Sequence, residues 1–241
     1  MKIIADTHAH TLVSGHAYST MREMVQAGAE HGLEALALTE HAPQMPGTCG
    51  ELYFMNLKVV PREMNGIQVL LGVELNILNS DGEVDLPESL YKPLDIVLAS
   101  IHQPCFHEEP TIENNTKAYV NAMKNPHINI IGHPDDGRFP IDYETLVKTA
   151  KETNTLLEVN NSSLNPRGFR TQARENLFEM LDLCKRYEVP ITTGSDAHVD
   201  VDAGNFDFAL PLLRECDFPE ELVVTTDLKK LKPFINRYQA D

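Results

Sequence analysis

The sequence predicts a parallel α/β fold, either doubly wound or closed into a barrel, and three observations carry that expectation. Short apolar runs of strand length alternate with longer amphipathic stretches about seven times along the chain. The runs are continuously apolar, as strands buried on both faces require. Each run is followed by His, Glu, Asp or Asn. In parallel α/β folds the carboxyl ends of all strands share one side, where sites are built.

The first run covers residues 2–5 and leads into Asp6-Thr-His8-Ala-His10. Ser19-Thr20 can cap a helix that runs to about His31, with Gly32 placed to end it. The second run, 35–38, leads into Thr39-Glu40-His41, the third, 68–73, into Glu74, and the fourth, 95–100, into His102. Thr111 or Asn114 can open a helix that stops before Pro126. The fifth run, 128–131, leads into Gly132-His133-Pro134, and Asp142 can cap a helix to about Thr153. The sixth, 155–159, brings Glu158, Asn160 and Asn161. Residues 171–187 carry Leu177, Met180, Leu181 and Cys184 at helical spacing. The seventh run, 190–193, leads into Gly194-Ser-Asp196-Ala-His198. A last helix from Thr226 or Asp227 has Leu228, Leu231, Phe234 and Ile235 on one side, interrupted by Pro233. No Gly/Ser-rich or Pro-rich linker divides the chain, so residues 1–241 read as one domain. The longest loop-like pieces are 43–50, 103–115 and 163–172.

Composition excludes several classes. Hydrophobic residues make up 42% of the 241, enough for a sizeable core. No run approaches the ~18 apolar residues of a membrane span. The start Met-Lys-Ile-Ile-Ala-Asp turns polar at once, unlike a signal peptide. Cys49, Cys105, Cys184 and Cys216 form no C-x-x-C pair and no disulfide framework. A cytoplasmic protein is expected, and nothing sets an oligomeric state. The formal charge of −16 repels phosphate backbones at long range, which argues against nucleic acid as a main partner.

Ten histidines stand against no tryptophan, and their placement points to metal. In extended chain, residues i and i+2 point the same way, so His8 and His10 can hold one ion together. Asp196 and His198 share that spacing. A single H-x-H occurs often by chance, and a lone His at a strand end is commonly just a satisfied polar residue. Five strand ends carrying His, with Glu74 between them, form a specific constellation. Asp6 and Glu40 are expected to orient imidazoles rather than to bind ions. His31 would complement a helix C-terminus, His127 sits in a turn, and Cys105 reads as a buried loop thiol. His107, in the loop after the fourth run, keeps a minor claim to touch substrate.

The motifs Asp6-Thr-His8-Ala-His10, Thr39-Glu-His41, Gly132-His133-Pro134 and Gly194-Ser-Asp196-Ala-His198 resemble those of the PHP (polymerase and histidinol phosphatase) family, in the same order and over nearly the whole chain. His16-Ala-Tyr-Ser-Thr, Pro61-Arg62, Gly72-Val-Glu-Leu-Asn, Asn160-Asn-Ser-Ser and Cys216-Asp-Phe-Pro look most similar to its YcdX-like bacterial phosphatases. The resemblance implies a distorted (β/α)7 barrel, one strand short of a TIM barrel. It implies three divalent ions, usually zinc, with manganese or iron in some relatives. On that basis His8, His10, Glu74 and Asp196 would hold the first ion. Glu74, His102 and His133 would hold the second, and His16, His41 and His198 the third. Catalysis would rest on Glu74, Asp196 and His198. Thr39-Glu40-His41 departs from relatives that have Asp before the His.

Three such ions would outweigh the two carboxylates and leave a strongly cationic pit in an acidic protein. That pit suits a multiply charged oxyanion such as phosphate, attacked in line by a hydroxide held between metals. Arg62, Arg138, Arg167 and Arg170 lie in or near the loops after strands and are candidates to grip it, with solvated surface charge as the plain alternative. The expected activity is hydrolysis of a small phosphorylated metabolite, a phosphomonoester. The rivals are a metal-dependent amidohydrolase-like enzyme acting on C–N or C–O bonds, and a metal-binding module without catalysis.

Overall fold

The computed structural model describes residues 1–236; the end of the expected domain, 237–241, lies outside them. Its strands are β1 (Ala5–Asp6), β2 (Ala35–His41), β3 (Glu63–Met64), β4 (Ile67–Ile77), β5 (Ile96–Ile101), β6 (Ile130–Ile131), β7 (Leu156–Asn160) and β8 (Ile191–Gly194). Seven are parallel in the order β1-β2-β4-β5-β6-β7-β8, and β3 adds a short antiparallel hairpin to β4. The two ends of this order meet. Ala9 bridges Ala197 in parallel, and Asp196 donates its N–H to the His8 carbonyl at 2.8 Å. The sheet is therefore a nearly closed barrel, which settles the choice against a doubly wound sheet.

The helices are α1 (Met21–Glu30), α2 (Glu51–Asn56), α3 (Glu88–Tyr91), α4 (Ile112–Ala122), α5 (Tyr143–Thr153), α6 (Ala173–Tyr187), α7 (Ala209–Glu215) and α8 (Leu228–Leu231). Thr20 caps α1 in a reciprocal box with Glu23, and Gly32, at φ +80°, follows its end. Thr111 and Asp142 cap α4 and α5 as expected. The expected C-terminal helix lasts only four residues, because Pro233 turns the chain into a 3₁₀ turn. Helices α2, α3 and α7 are too short to show a periodic pattern, and no sequence expectation covered them. His31 does more than face a helix end: its Nδ1 lies 2.6 Å from the Ala203 carbonyl, tying α1 to the segment after β8.

Most apolar side chains pack between the sheet and its helices. A smaller cluster fills the barrel interior: Ala5, Ala35, Ala37, Leu70, Ile96, Leu98, Ile130 and Leu156, joined by Val224, Leu231 and Ile235. Residues two apart share a face of a strand, so the interior face continues upward along each one. Leu70 is followed by Gly72, Glu74 and Asn76, Leu98 by Ser100 and His102, and Leu156 by Glu158 and Asn160. Each strand thus goes from apolar at its start to ligand-bearing at its carboxyl end.

The pairing continues past the apolar runs. His41 pairs with Glu74, and Glu74 with Leu98. Glu74 and His41 lie within strands rather than after them, correcting the expected boundaries. Ladder hydrogen bonds are indifferent to side-chain polarity, so a strand runs on while its neighbours remain.

Candidate metal centre

The structure gathers all nine expected ligands into one cluster at the carboxyl end of the barrel. Glu74, wholly buried, stands at its centre. Its Oε2 lies 3.5 Å from both His8 Nε2 and His10 Nε2. Its Oε1 lies 2.9 Å from His133 Nε2 and 3.3 Å from His102 Nε2. Asp196 Oδ1 is 3.6 Å from His8 Nε2 and 3.5 Å from His10 Nε2, which are themselves 3.0 Å apart. Tetrahedral coordination at 2.0–2.1 Å has ligand–ligand edges of about 3.3–3.4 Å. The edges that His8 and His10 make with each carboxylate, 3.5–3.6 Å, are close to that spacing.

His16, His41 and His198 form the outer part. The His16 ring centroid is 4.9 Å from each of the other two, and His16 Nε2 is 3.3 Å from His41 Nε2. His41 also turns its Nδ1 towards Glu74 Oε2, at 2.7 Å. His10, His41 and His198 present donor atoms within 4.8 Å of one another, so the outer and inner groups are continuous.

Hydrogen bonds behind the rings decide which nitrogen faces inward. Ser14 Oγ donates to Glu40, so towards His10 Nδ1, 3.0 Å away, it acts as acceptor. Asn76 gives its amide hydrogens to Ala42 and Asp85, leaving its oxygen to accept from His102 Nδ1 at 2.7 Å. Glu158 Oε1 accepts from His8 Nδ1 at 2.8 Å. His198 Nδ1 donates to the Asp196 carbonyl at 3.0 Å. Each ring that spends its hydrogen outward turns an Nε2 lone pair inward. Several lone pairs and the Glu74 carboxylate then converge in a buried space, where only a cation satisfies them. Glu74 Oε2 has no well-directed hydrogen bond among the described residues, its close contact with His41 Nδ1 included. The residues fit a bound divalent ion.

The electrostatics agree. Burial opposes ionisation of Glu74, but His102, His8 and His41 outweigh it and hold the carboxyl well below its usual range. Asp196 is held low against the same opposition by His8 and Arg170. Burial, then the neighbouring His41 and His198, hold His10 well below the usual imidazole range and bring His16 down to about 4. On His8 burial is outweighed by Glu158, Glu74 and Asp196, which raise it well above that range. Without metal, His8 is the ring that takes the proton.

Of the candidate arginines, Arg170 reaches the centre: its Nη1 lies 2.9 Å from Asp196 Oδ2. Arg138 lines the same pocket, but Asp136 grips its guanidinium at 2.6–3.0 Å, so much of its charge is spent. Arg167 is exposed and outside the pocket lining. Arg62 lies at the opposite end of the barrel, with Nε 2.6 Å from Asp95, the residue just before β5. Its place in the β3–β4 hairpin explains this: the Arg62 carbonyl accepts from Val69 N–H near the start of β4. His107 and Cys105 are absent from the pocket lining, and all four cysteines are free. Asp6 orients main chain rather than imidazoles. It accepts from the N–H groups of His8, Ser195 and Gly204. Glu40 acts on His10 through Ser14, a residue with no motif to mark it.

The pocket above the cluster holds about 470 Å³ and is lined by residues including His16, His102, Gln103, Phe169 and Arg170. The backbone is shaped to the cluster as well. A Cβ on Gly132 would land on Ser100 Oγ, and one on Gly194 would land on Glu158 Oε1.

Barrel and cluster together define a class, the (β/α)-barrel proteins whose strand ends carry a histidine–carboxylate metal centre. Residues 6–165 match the PHP domain model. The chain belongs to the PHP domain family. A relative from Caldicellulosiruptor saccharolyticus is 46% identical over 235 residues, covering 98% of this chain and 97% of its own. One from a Thermoanaerobacter species is 45% identical over 235 residues, covering 98% and 95%. Both are named "probable phosphatase". The fold is shared with histidinol phosphate phosphatase of Lactococcus lactis, solved with zinc, L-histidinol and phosphate. That likeness has a TM-score of 0.66 at 18% identity and covers 91% of this chain and 95% of the other.

Proposed function

We propose that the protein is a metal-dependent phosphatase that hydrolyses a small phosphomonoester at a centre of three divalent ions. The observation that carries this reading is the split of Glu74, whose two oxygens face separate histidine pairs. His8, His10, Glu74 and Asp196 would hold one ion. Glu74, His102 and His133 would hold a second, and His16, His41 and His198 a third. A donor set of imidazoles with two carboxylates favours zinc, with manganese or iron as substitutes. The zinc in the L. lactis enzyme supports the same choice.

Bound divalent ions would supply deprotonated water near neutral pH and neutralise charge on the phosphate. The chain's own residues do the rest. Glu74 and Asp196 keep the donor atoms in place, and Arg170 lines the pocket beside them, held there by Asp196. The pocket volume suits a small ligand. The names of the relatives support phosphate ester hydrolysis.

The test is phosphate release from a panel of small phosphomonoesters by zinc-loaded and manganese-loaded protein, beside cyclic amides and lactones. Release that stops on chelation and returns with metal supports the reading. Turnover confined to the amides or lactones, or persisting in metal-stripped protein, overturns it.

A further inference from the structure

Glu158 is wholly buried on β7 and is not among the nine expected ligands. Both its oxygens are engaged, and they hold parts of two different ligands. Oε1 accepts from His8 Nδ1 at 2.8 Å. Oε2 accepts from the main-chain N–H of His133 at 2.7 Å. We propose that Glu158 is a positioning residue that couples the first and second ion positions, so that both tighten or loosen together. The proposal rests on the reading of His8 and His133 as ligands of separate ions.

On His8 the effect is on the ring. Its Nδ1 hydrogen is committed to a carboxylate, so Nε2 faces the cluster with its lone pair, and the paired carboxylate makes that nitrogen more basic. On His133 the effect is on the backbone. His133 has φ +28°, a conformation that side-chain-bearing residues keep only when their surroundings impose it. The bond from its N–H to Glu158 is such an imposition, and it aims the ring at Glu74.

Asn160 extends the device. Its Nδ2 lies 3.1 Å from Glu158 Oε2 and 3.2 Å from Asp196 Oδ2. Asp196 is the other expected ligand with positive φ, at +53°. Space is kept for the carboxylate at Gly194, where any Cβ would occupy the position of Glu158 Oε1. Asn76 makes the contrast: its oxygen supports the ring of His102 alone among the ligands.

The experiment uses the full chain loaded with zinc, titrated with a chelator, with retained ions counted per chain by elemental analysis. Glu158→Gln keeps the size but cannot accept at both oxygens. In Glu158→Gln two equivalents should leave together, at a chelator concentration about 10–100-fold lower than in wild type. Any further equivalent should leave where it did before. Asn76→Ala should weaken one equivalent only. The shorter Glu158→Asp should also release two together, which keeps the test open if the glutamine variant does not fold. An unchanged titration, early loss of a single equivalent, or an equal shift of every equivalent overturns the proposal, the last being the mark of a merely structural role. Ions retained without phosphatase turnover would overturn the proposed function and leave this inference standing. A wild-type chain that retains no ion overturns both.

Discussion

Arg170 Nη1 lies 2.9 Å from Asp196 Oδ2, while the other oxygen of that carboxylate faces His8 and His10. One side chain thus ties the ligand set to the pocket. Asn160 and Ser163 also lie 3.2 Å from Nη1. With Asp196 neutralising part of its charge, Arg170 has a fixed position rather than a free reach.

Arg170→Ala should therefore lower kcat/KM by about 10²–10³-fold, the usual cost of losing one placed donor to developing charge. Steady-state kinetics on a small phosphomonoester check this. Arg170→Lys should recover only part of the loss, because an ammonium cannot reproduce the planar fork. An alanine variant with wild-type kinetics would remove Arg170 from the site.

His10→Ala removes one of two imidazoles at the most enclosed donor group. Turnover should fall below detection and the ion count should drop, while far-ultraviolet circular dichroism stays that of the barrel. Elemental analysis and the spectrum together check it. Retained turnover with the ion lost would separate catalysis from that position.

Metal removal should destabilise the protein. An ion held at 100 times its dissociation constant adds about 2.7 kcal/mol to the folded state. Differential scanning calorimetry before and after chelation checks the direction, and an unchanged Tm would argue against resident metal.

The chelator-stripped protein should also lose stability as pH falls. His10, His16, His41 and His102 are all held below their ordinary value of 6.5, first by burial. The unfolded chain then binds more protons than the folded one just below that pH. The stabilisation is present above about 6.5 and is lost as pH drops towards the lowered folded values, near 4 for His16. His8, raised by its carboxylate neighbours, and Asp135, pushed up to about 7 by burial, act in the opposite sense, as do the buried Glu40 and Asp6 to a lesser degree, against four lowered imidazoles. Calorimetry at pH 7.5 and 5.5 should show the lower Tm at 5.5. A higher Tm there would mean that the raised groups, His8 and Asp135 first, dominate.

Arg62→Ala should behave differently from Arg170→Ala. It strands the largely buried Asp95 without its cation, at a cost of about 1–3 kcal/mol. Its distance from the pocket predicts a lower Tm with kcat/KM unchanged, and a large kinetic loss would contradict the placement.

The order of strands and helices was legible because burial on both faces leaves continuous apolar runs, and because Thr20, Thr111 and Asp142 are cap residues wherever they precede a helix. The ligand candidates were legible for a related reason: strand ends in a parallel barrel share one side, so His8, Glu74, His102 and Asp196 converge although far apart in sequence. The short helices left no trace, since one turn has no period. Arg62 and Arg170 looked alike in sequence, and only the β3–β4 hairpin sends the first to the far end of the barrel.

By itself, the amino-acid order determined the parallel α/β class, the β/α alternation and the set of side chains able to bind metal, because these follow from local pattern and from one rule of strand direction. The tertiary structure alone decided barrel closure, which Glu74 oxygen faces which histidine, and that Ser14, Asn76 and Glu158 stand behind the rings. Those are relations between residues far apart in the chain, 150 positions for His8 and Glu158 and 188 for the closing pair His8 and Asp196. A hydrogen bond depends on distances of tenths of an ångström, and no local pattern carries that information.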